Sequence, residues 1–164
     1  MPGSVVELAT QDGTLWPCAR ERMMRVGIDA RLLMRPGGGI GRYTALLVEA
    51  LGAFDRDSQY VLFTDRQGSL PLPPNFTLRS IRSPSRTLWT QVLLPGTLAR
   101  HRIDLYHAAG NFDLPVRRRC RYVTTVHDLA CWLHPEWFPW KHRTLFRLLI
   151  RRALGSSEVV IVNS

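Results

Sequence analysis

Gly37, Gly38, Gly39 and Gly41 stand between the apolar run RVGID and the helical-looking IGRYTALLVEAL. Glycine lets a backbone approach a ligand closely, and a strand-to-helix junction aims amides at an anion, so the cluster reads as a phosphate cradle. Two standard cradles fail. A dinucleotide fingerprint needs a third glycine where this chain has Arg42, and a P-loop needs a Gly-Lys pair, whereas the only lysine is Lys141. What remains is a flexible loop whose Gly39, Ile40 and Gly41 amides can point at an anion from a helix N-terminus. Arg42, at the helix start, opposes the helix dipole unless an anionic ligand compensates it. A tight strand-to-helix turn accounts for the same glycines without any ligand.

The second chemical segment is VTTVHDLACWLHPEWF, where His127 and Asp128 follow a β-branched run. A histidine at a strand's carboxyl end can donate a hydrogen bond to a substrate hydroxyl or titrate near neutral pH. Asp128 can orient that ring or accept from the loop backbone as a turn residue. The set His127, Asp128, Cys131 and His134 matches no usual zinc spacing, so no metal is expected. The nearby Trp132, Pro135, Trp137 and Pro139 suit packing, or stacking on a sugar or lipid face. Cys18, Cys120 and Cys131 form no clip or redox pair, which suits unpaired thiols in a reducing compartment.

These residues need elements to position them. Apolar runs alternate with helical patterns: strands at RVGID, QYVLFT, FTLRSI, IDLYHA, CRYVTTVHD and EVVIVNS, helices at IGRYTALLVEAL, SRTLWTQVLLPGTLARHR and KHRTLFRLLIRRAL. Gly52 reads as the stop of the first helix, and Pro95-Gly96 as a bend in the second. The order predicts an α/β fold, a Rossmann-like parallel sheet flanked by helices. In such sheets ligands bind at the carboxyl ends of strands. The glycine loop, HAAGNFDLP and HDLACWLHPEWF all follow strands, which predicts one cleft.

With 164 residues, 45% apolar and 21% charged, the chain has the composition of a globular domain. No apolar run is long enough to span a bilayer, and the start lacks a secretory pattern, so a cytoplasmic location is expected. The net charge of +9 favours anionic partners. Residues 1–23 show no clean period and read as a poorly ordered extension, leaving residues 24–164 as the domain.

Together RVGIDARLL, GGGIGRY, IDLYHAAGNFDLP and VTTVHDLACWLHPEWF, then a basic helix and EVVIVNS, resemble the N-terminal domain of family 4 retaining glycosyltransferases of the GT-B fold. The forms GIDAR and HDL look like bacterial members that build cell-surface polysaccharide. The resemblance implies transfer of a sugar from a nucleotide-diphosphate sugar, as co-substrate, to a glycan or lipid-linked acceptor. No cofactor bound by this chain is expected. Gly38, Gly39, Ile40 and Gly41 take the place of the family's loop near the diphosphate, and His127 that of its histidine beside the transferred sugar. Arg42, Asn111 and Asp128 become candidates for positioning the acceptor or shaping the loop.

The family holds its donor in a C-terminal half carrying a paired-glutamate motif. Glu7, Glu21, Glu49, Glu136 and Glu158 include no pair with that spacing. The chain is therefore expected to lack the donor-binding domain, to be inactive alone, and to work with that domain from the same gene or a separate chain. Arg143, Arg147 and Arg151 recur every four residues beside an apolar side of Leu145, Phe146, Leu148, Leu149 and Ile150. That helix is a solvated surface element or a peripheral contact with the anionic inner face of a membrane.

Two other classes stay open. A nucleotide-binding oxidoreductase needs an acidic residue after the second strand, and Asp65 stands nearby. An anion- or nucleic-acid-binding module would use the charge and Arg117 to Arg119, but aromatic residues are not interleaved as on an RNA-reading sheet, so no specific nucleic acid is expected.

Overall fold

The computed structural model describes residues 23–35, 37–110 and 114–162, without the side chains of residues 141 and 142. The expectation for residues 1–23 thus falls outside the described residues, Met23 excepted. Six parallel strands form one sheet: β1 (Arg25–Asp29), β2 (Gln59–Thr64), β3 (Phe76–Ser80), β4 (Leu105–Ala108), β5 (Arg121–Val126) and β6 (Val159–Val162). Their order is β3-β2-β1-β4-β5-β6. The direction of strand addition reverses between β1 and β4, which opens a crevice at their carboxyl ends.

Both faces of the sheet are covered, which is why its strands read as nearly unbroken apolar runs. On one face Val26, Ile28, Tyr60 and Leu62 pack with Val48 of α1 (Gly39–Phe54). On the other, Val61, Phe63, Tyr106 and Tyr122 pack with Trp89, Leu94, Leu98 and Ala153. Trp89 lies in a π turn over Trp89–Leu93 that follows α2 (Arg86–Leu88), Leu94 and Leu98 lie in α3 (Leu94–Arg100), and Ala153 lies in α5 (Trp140–Ser156). Between β5 and α5 lie the short α4 (Ala130–Leu133) and a 3₁₀ turn over Pro135–Trp137.

Two sequence expectations need correction. Gly52 does not stop α1, which continues to Phe54. A Cβ at Gly52 would come within 2.3 Å of the Pro73 ring, so this glycine admits the proline-rich loop against the helix. The irregularity in the second helix lies before Pro95, in the π turn, and Pro95 sits in the first turn of α3, where a missing amide hydrogen costs little.

Immediately after β1 the chain turns on a buried ion pair. Arg31 reaches back to Asp29 with Nη2–Oδ2 at 2.6 Å and Nε–Oδ1 at 3.0 Å, and its amide donates to the same carboxylate at 3.1 Å. The guanidinium lies 4.0 Å above the Trp89 ring. This turn presents the Leu32 carbonyl to α1. A Cβ on Gly41 would lie 2.6 Å from that oxygen, whereas a Cβ on Gly39 meets nothing within 4 Å. Gly41→Ala is therefore expected to cost about 1–3 kcal/mol and Gly39→Ala less than about 0.5 kcal/mol, measured by urea unfolding. Equal losses would contradict this division.

Candidate functional site

The three strand-end segments surround one open cavity of about 480 Å³. Ile40 comes from the glycine loop, Gly110 from the segment after β4, and His127, Asp128, Cys131 and Phe138 from the segment after β5. Phe146 and Leu149 of α5 complete an apolar wall. Polar and reactive groups thus lie on the strand ends, while the helix supplies apolar surface.

The mouth of α1 is electropositive by construction. Gly37 and Gly38 hold φ at 79° and 120°, a region that favours glycine. Gly38 offers no side-chain cap, and α1 has no acidic residue in its first turn. The first intrahelical bond runs from the Arg42 amide to the Gly38 carbonyl at 3.3 Å. The amides of Gly39, Ile40 and Gly41 precede it and have no acceptor within the helix. Arg42 is exposed and lies outside the lining of this cavity.

His127 is held from two sides. Its Nε2 lies 2.7 Å from the Ala109 carbonyl, and Tyr43 meets it edge-on with ring centroids 4.8 Å apart. A carbonyl only accepts, so Nε2 carries a hydrogen and donates it to Ala109. Asp128 is exposed, and its Oδ1 accepts the Ala130 amide at 3.0 Å, which makes it a turn residue at the cavity wall. Asn111 lies outside the described residues.

Behind His127 runs a polar chain that sequence reasoning missed. His107 Nε2 and Thr125 Oγ1 are 2.8 Å apart, and Thr125 Oγ1 and Tyr43 Oη 3.2 Å. Burial pushes the His107 pKa down to about 4, reinforced by His127 and partly offset by Asp29. His107 is therefore neutral at physiological pH. One signal was legible: polar residues within the apolar runs LYHA and VTTV must find partners once buried.

His134 faces Glu136 at 3.3 Å and stacks on Trp137 at 4.1 Å. Among the described residues no three His, Cys, Asp or Glu side chains gather as a metal-ligand set. Burial also pushes the Cys120 thiol up to about 12, which leaves it unreactive. Asp65, the acidic residue after β2, is engaged by Arg35 at 2.8 Å.

A six-stranded parallel sheet with its loops gathered around a crevice defines a Rossmann-like ligand-binding domain. A family model described as Glycosyltransferase Family 4 matches residues 37–164, and a search of curated proteins returns no match. The chain belongs to glycosyltransferase family 4, and glycosyl transfer is its class of reaction. The match begins at Gly37, so β1 lies ahead of it.

The low pKa of His107 carries a pH signature. Between about 4 and 6.5 the unfolded chain binds the proton that the folded chain refuses, so stability falls as pH drops through this window. The loss should total about 3 kcal/mol. Urea unfolding across that range should show a shallower pH slope for His107→Gln, and an unchanged slope would refute the assignment.

Proposed function

We propose that this domain forms the acceptor side of a retaining glycosyltransferase, which moves a sugar from a nucleotide-diphosphate sugar to a glycan or lipid-linked acceptor. The observation that carries this reading is the convergence of the uncapped start of α1 and of His127 on one cavity. Breaking the sugar–phosphate bond leaves charge on the departing diphosphate. The amides of Gly39, Ile40 and Gly41, fixed before that charge develops, stabilise it without reorganising.

His127 binds a hydroxyl of the transferred sugar, while its bond to Ala109 and the Tyr43 edge hold the ring in place. This orients the sugar as positive charge grows on its reacting carbon. Asp128 shapes the wall through its turn, and Arg42 and Asn111 serve the acceptor. The donor nucleotide is held by a second unit of the GT-B type, in the same protein or in a partner chain, and the 164-residue chain is inactive without it. The reaction takes place in the cytoplasm and feeds polysaccharide assembly at the bacterial surface.

The outer surface of the same region supports peripheral contact with an anionic membrane. Leu133, Trp137, Trp140, Leu145 and Leu148 are all more than half exposed. Leu145 and Leu148, from the side that the sequence reads as apolar, are exposed, as are Arg147 and Arg151. Those two guanidiniums lie 5.5 and 5.4 Å from the centroid of the Trp132 ring, so the basic stripe also packs α5 onto α4. Among the described residues no helix is long and apolar enough to cross a membrane.

In the enzyme joined to its donor-binding unit, His127→Ala should lower kcat/KM for sugar transfer by about 100-fold with little change in thermal unfolding. Wild-type turnover by that variant would end the proposal for His127, and transfer by the 164-residue chain alone would end the need for a second unit. For the membrane contact, the protein should sediment with vesicles of phosphatidylglycerol and phosphatidylcholine but not with phosphatidylcholine alone. Exchanging Arg147 and Arg151 for glutamine should weaken that association, and equal sedimentation with both vesicles would count against it.

A further inference from the structure

At the opposite end of the sheet lies a cavity of about 220 Å³, whose walls include Arg25, Arg56, Asn75, Thr77, Arg79 and His101. Arg25 opens β1 and Asn75 immediately precedes β3, so this cavity sits at the amino ends of the strands, whereas His127 follows the carboxyl end of β5. A strand's length, about 17 Å, separates the two ends. We propose that the cavity binds a phosphate group, as the free ion or as the monoester of a small molecule, at a site separate from the reaction cleft.

Charge is the first support. Among the described residues no Asp or Glu lines the cavity, and none of its three guanidiniums forms an ion pair. Two nearby carboxylates are already used. Asp55 accepts the Tyr60 hydroxyl at 2.7 Å and the amides of Asp57 and Ser58, each at 3.0 Å. Asp104 accepts the Arg25 amide at 2.9 Å. Asp55, Asp57 and Asp104 all lie outside the lining.

His101 reports the same field from another element. Burial pushes its pKa down, Arg79, Arg25 and Arg100 push it further, and no carboxylate opposes them. The cavity thus carries an unbalanced positive potential that a bound anion relieves.

The chemistry of the wall selects the anion. Guanidinium forks match the oxygens of phosphate two at a time. A phosphate monoester carries about −1.5 to −2 charges at neutral pH, which answers three guanidiniums better than the single charge of a carboxylate. The volume lies below the range of small-ligand sites, about 300–1,000 Å³, and so suits one group rather than a whole cofactor. A further cavity, of about 300 Å³, shares Arg56, Pro74 and Asn75 with the first and reaches Gly52. It gives the carrier of a monoester a place beside its phosphate.

The test follows the His101 ring signal by NMR in the 164-residue chain, assigned with His101→Gln. Probes are inorganic phosphate, glycerol 3-phosphate, glycerol, and chloride at matched ionic strength. Both phosphates should shift the signal and raise the pKa at which His101 titrates, because a bound anion opposes the arginines; glycerol and chloride should not. Tighter binding of glycerol 3-phosphate identifies a monoester site, and tighter binding of inorganic phosphate a site for the free ion. Replacing the exposed Arg56 and Arg79 together by glutamine should lose at least about tenfold in affinity with thermal unfolding unchanged. Arg66→Gln, which removes the same kind of charge at the far end of β2, should lose none. No response, an equal response to chloride, or indifference to the Arg56 and Arg79 exchange would overturn the proposal. A response that appears only in Glu21→Gln would mean that a carboxylate of this chain already serves the arginines, and it would overturn the proposal as well.

Discussion

The geometry of this domain's ligand-facing end depends on a carboxylate and a guanidinium buried together two residues apart. Asp29 ends β1 and Arg31 folds back on it, with both side chains less than a tenth exposed. Removing either partner would strand the other charge in the interior, a cost of about 3–5 kcal/mol. The pair therefore dictates the course of the next residues. It seats Arg31 on Trp89, fixing the start of the second helical segment, and it points the Leu32 carbonyl at the only kind of residue that admits it, Gly41. One ion pair thus fixes the turn that meets both α1 and the Trp89 ring.

The glycine cluster is not one feature with one purpose. Gly37 and Gly38 are demanded by their positive φ angles, and Gly41 by a backbone oxygen too near for a Cβ. Only Gly39 has open space and an ordinary φ. A tight turn explains three of these positions, but it does not explain why α1 starts with neither a side-chain cap nor an acid. That omission leaves the first amides of the helix without an acceptor inside it, and Ile40 among them lines the cavity of His127.

The two histidines divide their tasks by burial. His107 is deep enough to remain neutral, and it serves as a structural anchor for Thr125 and, through it, Tyr43. His127, half-buried at the rim, meets the edge of that same Tyr43. The β4 and β5 strands thereby hold a polar chain inside an otherwise apolar layer, and it ends at the ring that touches the cavity.

Local chemistry made much of this legible. The β-branched and apolar runs had to be strands, and the alternation with helices had to give a parallel sheet, because only covered strands read as apolar on both faces. The glycine loop and His127 stood out because their residue types are costly or unusual where they lie. Tyr43, Arg31 and Trp89 gave no such signal, and His107 and Thr125 gave only that of polar residues within apolar runs. Their meaning comes from partners 59 residues away for Arg31 and Thr90, 82 for Tyr43 and Thr125, and 18 for His107 and Thr125. The sequence by itself determined the elements and the strand-end loops, since these follow from spacing along the chain. Only the tertiary structure decided which polar groups are buried together, and burial is what keeps His107 neutral and locks Arg31 between Asp29 and the Trp89 ring.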